Sequence, residues 1–122
     1  MQVKNISKRL GKVASFVPQG AKILDVGSDH AYLPIYLMQQ RRIVSAIAGE
    51  VVDGPYQSAV ANVSDNELSD KISVRLANGL AAFDEKDQID VIIIAGMGGR
   101  LIADILANGS AKLASVKRLI LQ

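Results

Sequence analysis

The stretch from Lys22 to Pro34, K-I-L-D-V-G-S-D-H-A-Y-L-P, constrains the fold more than any other part of the chain. Ile23, Leu24 and Val26 form a short apolar run of the kind a central strand buries on both faces. Asp25 and Gly27 close the run, and Ser28–Tyr32 make a polar turn. Pro34 is expected to open a helix, because the first helical residue needs no bonded N–H. A strand that passes through a tight glycine turn into a helix aims backbone N–H groups and the helix dipole at one spot. In α/β proteins that spot receives a phosphorylated or carboxylated cofactor.

The same alternation recurs along the chain. Ile6, Leu10, Val13 and Val17 stand at helical spacing and predict a helix over residues 4–17. Lys4, Lys8, Arg9 and Lys12 fall on its other arc, a basic face that is either solvated or turned to an RNA backbone. After the organising turn, Leu33, Ile35, Tyr36, Leu37 and Met38 predict a helix ending near residues 40–42. A strand over Val44–Ala48 finishes in Gly49-Glu50. Asp53-Gly54-Pro55 starts a helix running to about Ser64, with Asp53 as its cap. Ile72–Leu76 alternates as a half-covered strand and runs into Ala77-Asn78-Gly79.

Residues 84–90 read as a charged loop. Val91–Ala95, the most apolar run, is the best candidate for a central parallel strand, and Gly96-Met97-Gly98-Gly99 follows at once. Leu101, Ile102, Ile105 and Leu106 mark another helix, stopped by Asn108-Gly109, and Val116–Leu121 reads as a fifth strand. This order predicts an α/β fold with a doubly wound, mainly parallel sheet in a single domain over residues 1–122. A chain that stops on a strand's last residue reads as truncated after the fifth strand, which would leave that strand at an edge.

Composition removes several function classes. Fourteen basic against twelve acidic residues leave +2, too weak a bias to name a nucleic-acid partner on charge alone. With no cysteine and one histidine, His30, there is no disulfide framework, thiolate nucleophile or multi-histidine metal cluster, and no metal is expected. No apolar run approaches a membrane span and the N-terminus does not read as a signal peptide, so a cytoplasmic protein without a membrane partner is the expectation. Oligomeric state is not legible.

Ligands of open parallel sheets lie beyond the carboxyl ends of the strands. Four turns fall there: Gly27–Tyr32, Gly49-Glu50, Asn78-Gly79 and Gly96–Gly99. A dinucleotide fold wants G-x-G-x-x-G, whereas this window holds Gly27 alone and puts Asp29 where a pyrophosphate would lie. Asp25 and Asp29 suit a cationic ligand instead, and S-adenosylmethionine carries a sulfonium and an ammonium but no phosphate. Glu50, with Val51 beside it, ends the second strand, where a carboxylate can accept both hydroxyls of an adenosine ribose. Asn78 either bonds the adenine edge or belongs to a plain strand-exit turn. Three glycines in Gly96–Gly99 allow close approach of a ligand or large substrate. His30 is a base or a structural hydrogen-bonding residue, Tyr32 packs over a cofactor or fills the helix start, and Arg100 is a surface charge or a phosphate contact.

D-V-G-S-D-H-A-Y-L-P, G-E after the second strand, A-N-G after the third and I-A-G-M-G-G after the fourth occur here in that order. In these motifs the chain resembles the bacterial tRNA (adenine-22-N1)-methyltransferase family, Rossmann-like class I S-adenosylmethionine enzymes found mainly in Gram-positive bacteria. The resemblance spans essentially the whole chain and implies methylation of N1 of an adenine in the D-arm region of tRNA. It places Gly27, Ser28 and Asp29 along the methionine end of the cofactor, Glu50 at the ribose, Asn78 and Gly79 at the adenine edge, and Gly96 and Met97 beside the methyl group. Asp29 and His30 become the catalytic candidates. Family members continue past Gln122 into a Pro-Asn-containing turn, further strands and a C-terminal helical, coiled-coil-like domain that this sequence lacks. The rival readings are a class I methyltransferase of another substrate, a nucleotide-cofactor oxidoreductase, and a non-catalytic RNA-binding domain.

Overall fold

Ile23–Val26 and Val91–Ile94 carry apolar side chains on both alternating sets, and such strands belong at the middle of a sheet covered on two sides. The computed structural model, which describes residues 6–122, places them there. Five strands, β1 (Ala21–Val26), β2 (Ile43–Glu50), β3 (Ile72–Leu76), β4 (Val91–Ile94) and β5 (Arg118–Leu121), pair in parallel in the order β3-β2-β1-β4-β5. Helices α1 (Lys8–Ser15), α2 (Tyr32–Gln39) and α3 (Asp53–Asp65) cover one face. Helix α4 (Gly99–Asn108) and the short turn Gly79–Ala82 cover the other.

The two cores follow the side-chain alternation of the central strands. Ile23, Val91 and Ile93 point into a core with Val13, Leu33, Leu37 and Val63. Leu24, Val26, Ile92 and Ile94 point into a second with Leu80, Phe83 and Ile102. Ile23, Leu24, Ile92, Ile93 and Ile94 are fully buried. Each contributes roughly 1.5–3 kcal/mol of apolar burial before entropy is counted, so β1 and β4 anchor the fold. Chain order reverses between these two strands, and their carboxyl ends open the crevice that doubly wound sheets use for ligands.

The element boundaries depart from expectation for local reasons. Helix α1 starts at Lys8 rather than residue 4, because Ser7 caps it by accepting a hydrogen bond from the Leu10 N–H at 3.2 Å. Residues 4 and 5, Lys4 included, lie outside the described residues. Pro34 does not open α2: Ala31 precedes it as a left-handed cap and Tyr32 is the first helical residue. Proline at the third position is still tolerated, since the first four helical N–H groups have no partner within the helix. Asp53 is not the cap of α3 but its first residue, after Val52, and its Oδ1 accepts from Gln57. Strand β2 runs longer than Val44–Ala48 because β1 and β3 pair along both its sides. Strand β5 starts later, after a 3₁₀ turn at Ser110–Ser115.

Candidate functional site

The turn after β1 is built by glycine and then by strain. Gly27 has φ +68°, and a Cβ there would run into the Met97 methyl group. Gly49 O accepts from both Gly27 N–H (3.0 Å) and Ser28 N–H (3.1 Å), which folds the turn over the end of β2. Asp29, His30 and Ala31 then take φ of 50°, 66° and 61°. Three successive non-glycine residues in this region cost about 1–3 kcal/mol each and persist only where neighbours hold them.

Those neighbours are visible on α3. Asn62 Nδ2 donates to His30 O (2.9 Å), and Ser58 Oγ lies 2.6 Å from His30 Nδ1. His30 also stacks on Tyr32, with ring centroids 5.2 Å apart, and its Nε2 is 3.4 Å from Asp29 Oδ1.

Between this turn and the one after β4 lies a cleft of about 220 Å³, lined by residues that include Asp25, Gly27, Ser28, Asp29, Gly96 and Met97. Tyr32 and, from α1, Arg9 also face it. Asp25 forms its buried floor, where Ser28 Oγ donates to Oδ2 at 2.8 Å. Burial pushes the Asp25 carboxyl up to about 7; the Ser28 bond opposes this, and the nearby Glu50 charge adds to it. Glu50, at the end of β2 behind the Asp29–His30 turn, is 5% exposed, and its Oε2 has no hydrogen-bond partner among the described residues. Its carboxyl is raised by desolvation, partly offset by the backbone N–H of Asp29. Buried acceptors without donors are uncommon and mark places where a ligand or water supplies them.

The structure thus gathers Asp25, Gly27, Ser28, Asp29, Gly96 and Met97 into one cleft, with Glu50 adjoining it. Val51, next to Glu50, is 61% exposed. His30 does not line the cleft; its ring is engaged by Ser58 and Tyr32. Asn78 and Gly79 instead line a second cavity of about 300 Å³ with Ile105, Asn108 and Lys112. Arg100 is exposed in the first turn of α4.

Two contributions were not legible in the sequence. Arg9 sits on an arc read only as a basic helix face, and nothing local announced that it would reach the cleft. Ser58 and Asn62 stand one helical turn apart, and that i, i+4 polar pair was the available signal. Among the described residues no group of three or more His, Asp or Glu could hold a metal ion, and no helix is long and apolar enough to cross a membrane.

A parallel sheet with this order, a one-glycine turn at its switch point and carboxylates at two adjacent strand ends define a doubly wound α/β domain of the Rossmann-like class I methyltransferase type. Comparison with known proteins makes the assignment particular. A family model for TrmK, tRNA (adenine(22)-N(1))-methyltransferase, matches residues 23–122, and the chain belongs to that family. The tRNA (adenine(22)-N(1))-methyltransferase of Bacillus subtilis (strain 168) is 49% identical over 122 residues, all of this chain and 51% of the relative. The crystal structure of Streptococcus pneumoniae Sp1610 in complex with S-adenosyl-L-methionine is 71% identical with a TM-score of 0.94, covering 96% of this chain and 55% of that one. A Streptococcus agalactiae protein of the NADB-Rossmann superfamily is 66% identical with a TM-score of 0.94, covering 96% and 52%. The chain spans about half the length of these relatives.

Proposed function

We propose that this chain binds S-adenosylmethionine in the β1–β4 crevice and contributes that site to methylation of N1 of adenine 22 in tRNA. The observation that carries the reading is Glu50 Oε2, a buried acceptor without a donor at the end of the strand next to a one-glycine turn. The vicinal hydroxyls of an adenosine ribose supply the missing donors, and the exposed Val51 offers apolar surface beside them. Asp25 and Asp29 in the cleft suit the cationic end of this cofactor and oppose a diphosphate. Sp1610, 71% identical, was crystallised with that cofactor.

When bound, S-adenosylmethionine would supply an electrophilic methyl group to the lone pair of adenine N1, its S–CH3 bond breaking as S-adenosylhomocysteine leaves. N1 needs no base beforehand, so the residues here act by position and charge. Gly27 and Gly96, at φ +68° and +80°, keep side chains out of the cleft walls. Asp29, whose side chain is 80% exposed at the mouth, can stabilise the positive charge that grows on the adenine ring. His30 orients that carboxylate from the side and is itself held by Ser58. Because N1 lies on the pairing edge, a paired adenine must leave its stack to react. Asn78 and Gly79 remain candidates for the adenine edge, reached from the neighbouring cavity.

The test is transfer of labelled methyl from S-adenosylmethionine to unmodified tRNA, with an adenine-to-guanine change at the target as control. The full-length Bacillus subtilis relative runs alongside. Label on the parent tRNA alone supports the reading. Binding of S-adenosylhomocysteine without transfer by this chain, while the relative transfers, confines its role to the cofactor site. Label on the guanine control rejects the adenine assignment.

A further inference from the structure

Helix α3 carries Ser58, Asn62 and Asn66 at i, i+4 and i+8, a polar stripe beside the buried Ala59 and Val63. The stripe ties α3 to both ends of α2. Asn66 Nδ2 donates to Asn62 O at 2.8 Å, and its Oδ1 accepts from Gln39 Nε2 at 3.1 Å, which keeps α3 beside the last turn of α2. At the other end His30 is held at two points. Asn62 Nδ2 donates to its backbone O at 2.9 Å, and Ser58 Oγ meets its ring Nδ1 at 2.6 Å. Tyr32 covers one face of the same ring at an interplanar angle of 27°. With its backbone, one edge and one face fixed, the imidazole has its remaining nitrogen, Nε2, 3.4 Å from Asp29 Oδ1.

Those contacts decide where the ring carries its hydrogen. A neutral imidazole has one N–H, and an ionised carboxylate only accepts. The nitrogen facing Asp29 is therefore the donor, and Nδ1 is left with its lone pair turned to Ser58. We infer that Ser58 donates its hydroxyl hydrogen to His30 Nδ1, locks the ring as the Nε2–H tautomer and so holds the Asp29 carboxylate at the cleft mouth. Ser58 is a positioning residue that acts through His30, and its part in the reaction rests on the functional reading above. The Asp29 side chain is 80% exposed and on its own would turn among several rotamers; an N–H directed at it favours one of them. In the opposite tautomer a bare Nε2 lone pair would face the carboxylate and repel it.

His30 is the one histidine of the chain, so its ring nitrogens give unambiguous nitrogen-15 resonances. Long-range proton–nitrogen spectra are recorded on the alkaline side of its titration for wild type, Ser58→Ala and Ser58→Thr. Wild type should show a pyrrole-like Nε2 and a pyridine-like Nδ1. Ser58→Thr keeps the hydroxyl and should match it, while Ser58→Ala should move both resonances toward the averaged values of free imidazole. The same proteins are titrated with S-adenosylhomocysteine and assayed for transfer of labelled methyl to unmodified tRNA. Ser58→Ala should bind S-adenosylhomocysteine within about twofold of wild type yet transfer about fivefold more slowly, the worth of one hydrogen bond. In an Asp29→Asn background the same change should cost nothing further. A pyrrole-like Nδ1 in wild type, or coincident spectra of wild type and Ser58→Ala, overturns the inference without any need for activity. So does an equal cost of Ser58→Ala with and without the Asp29 carboxylate. Failure of wild type to bind S-adenosylhomocysteine overturns the cofactor reading, and the positioning role with it, whatever the tautomer.

Discussion

Asp87 and Asp25 are both carboxylates set against strands of one sheet, and the chain treats them in opposite ways. Asp87 is paired by Arg75 from β3, Nη1 to Oδ2 at 2.8 Å and Nη2 to Oδ1 at 3.0 Å, while Nη1 also donates to Ala82 O. That pairing holds the Asp87 carboxyl down at about 2. Among the described residues Asp25 has one hydroxyl donor and no cation, and it is pushed up to about 7, with Glu50 raised beside it. The first arrangement is complete within the chain and ties the charged segment 84–87 to the sheet. The second is incomplete, and an incomplete buried carboxylate pair is costly unless something cationic or hydrogen-bond-donating is bound. That difference separates scaffold from site.

The largest effect expected from this contrast is in the pH dependence of stability. Asp25 is raised, so between pH ~4 and ~7 the folded chain keeps a proton that the unfolded chain has lost. Stability therefore falls as pH rises through that window, by up to about 4 kcal/mol, and levels above it. Urea midpoints measured from pH 5 to 8 should show this slope, and Asp25→Asn should flatten it. An unchanged slope in the variant would remove Asp25 from the comparison.

Asp87 works with the other sign. Its depressed pKa means its contribution is present above pH ~4 and is lost as pH falls toward 2. Asp87→Ala leaves a partly buried guanidinium without its partner and should cost about 2 kcal/mol by urea unfolding at pH 7. Its S-adenosylhomocysteine affinity should stay within about twofold of wild type, because the cleft does not include it. A comparable loss of affinity would show that scaffold and site are not separate.

The smallest effect sharpens the same picture. Ser28→Ala removes the bond that lowers the Asp25 pKa, so the stability slope should extend to higher pH. The cost at neutral pH should be about 1 kcal/mol. A slope ending at lower pH than in wild type would reverse the role given to Ser28.

Much of this was legible because it is encoded in short segments. β1 and β4 read correctly because Ile23–Val26 and Val91–Ile94 carry apolar residues on both alternating sets, Asp25 being their one polar member, and α4 ended where Asn108-Gly109 said it would. The glycine turn announced Gly27, Asp29 and Glu50 as neighbours through the topology of any doubly wound sheet. What stayed hidden depends on contacts across the fold. Arg9 reaches the cleft only because α1 packs over the β4 turn, and the left-handed run at Asp29–Ala31 exists only because Asn62 and Ser58 hold it. The charged stretch 84–90 looked like loop, since its 3₁₀ turn at Glu85–Asp87 is anchored by Arg75 from another element.

The central claim is that the carboxylates at the switch point are left incomplete for an adenosyl cofactor. Calorimetric titration of wild type and Glu50→Gln with S-adenosylhomocysteine tests it most directly, with thermal unfolding of both unliganded proteins in parallel. The account predicts that wild type binds and that Glu50→Gln loses roughly 100-fold in affinity, as charged hydrogen bonds to two hydroxyls are exchanged for neutral ones. It also predicts that the unliganded variant is at least as stable as wild type, because a buried carboxylate with one oxygen lacking a donor has been removed. Equal affinity in the two proteins, or a variant that binds normally but unfolds more easily, would make Glu50 a structural residue and contradict the account.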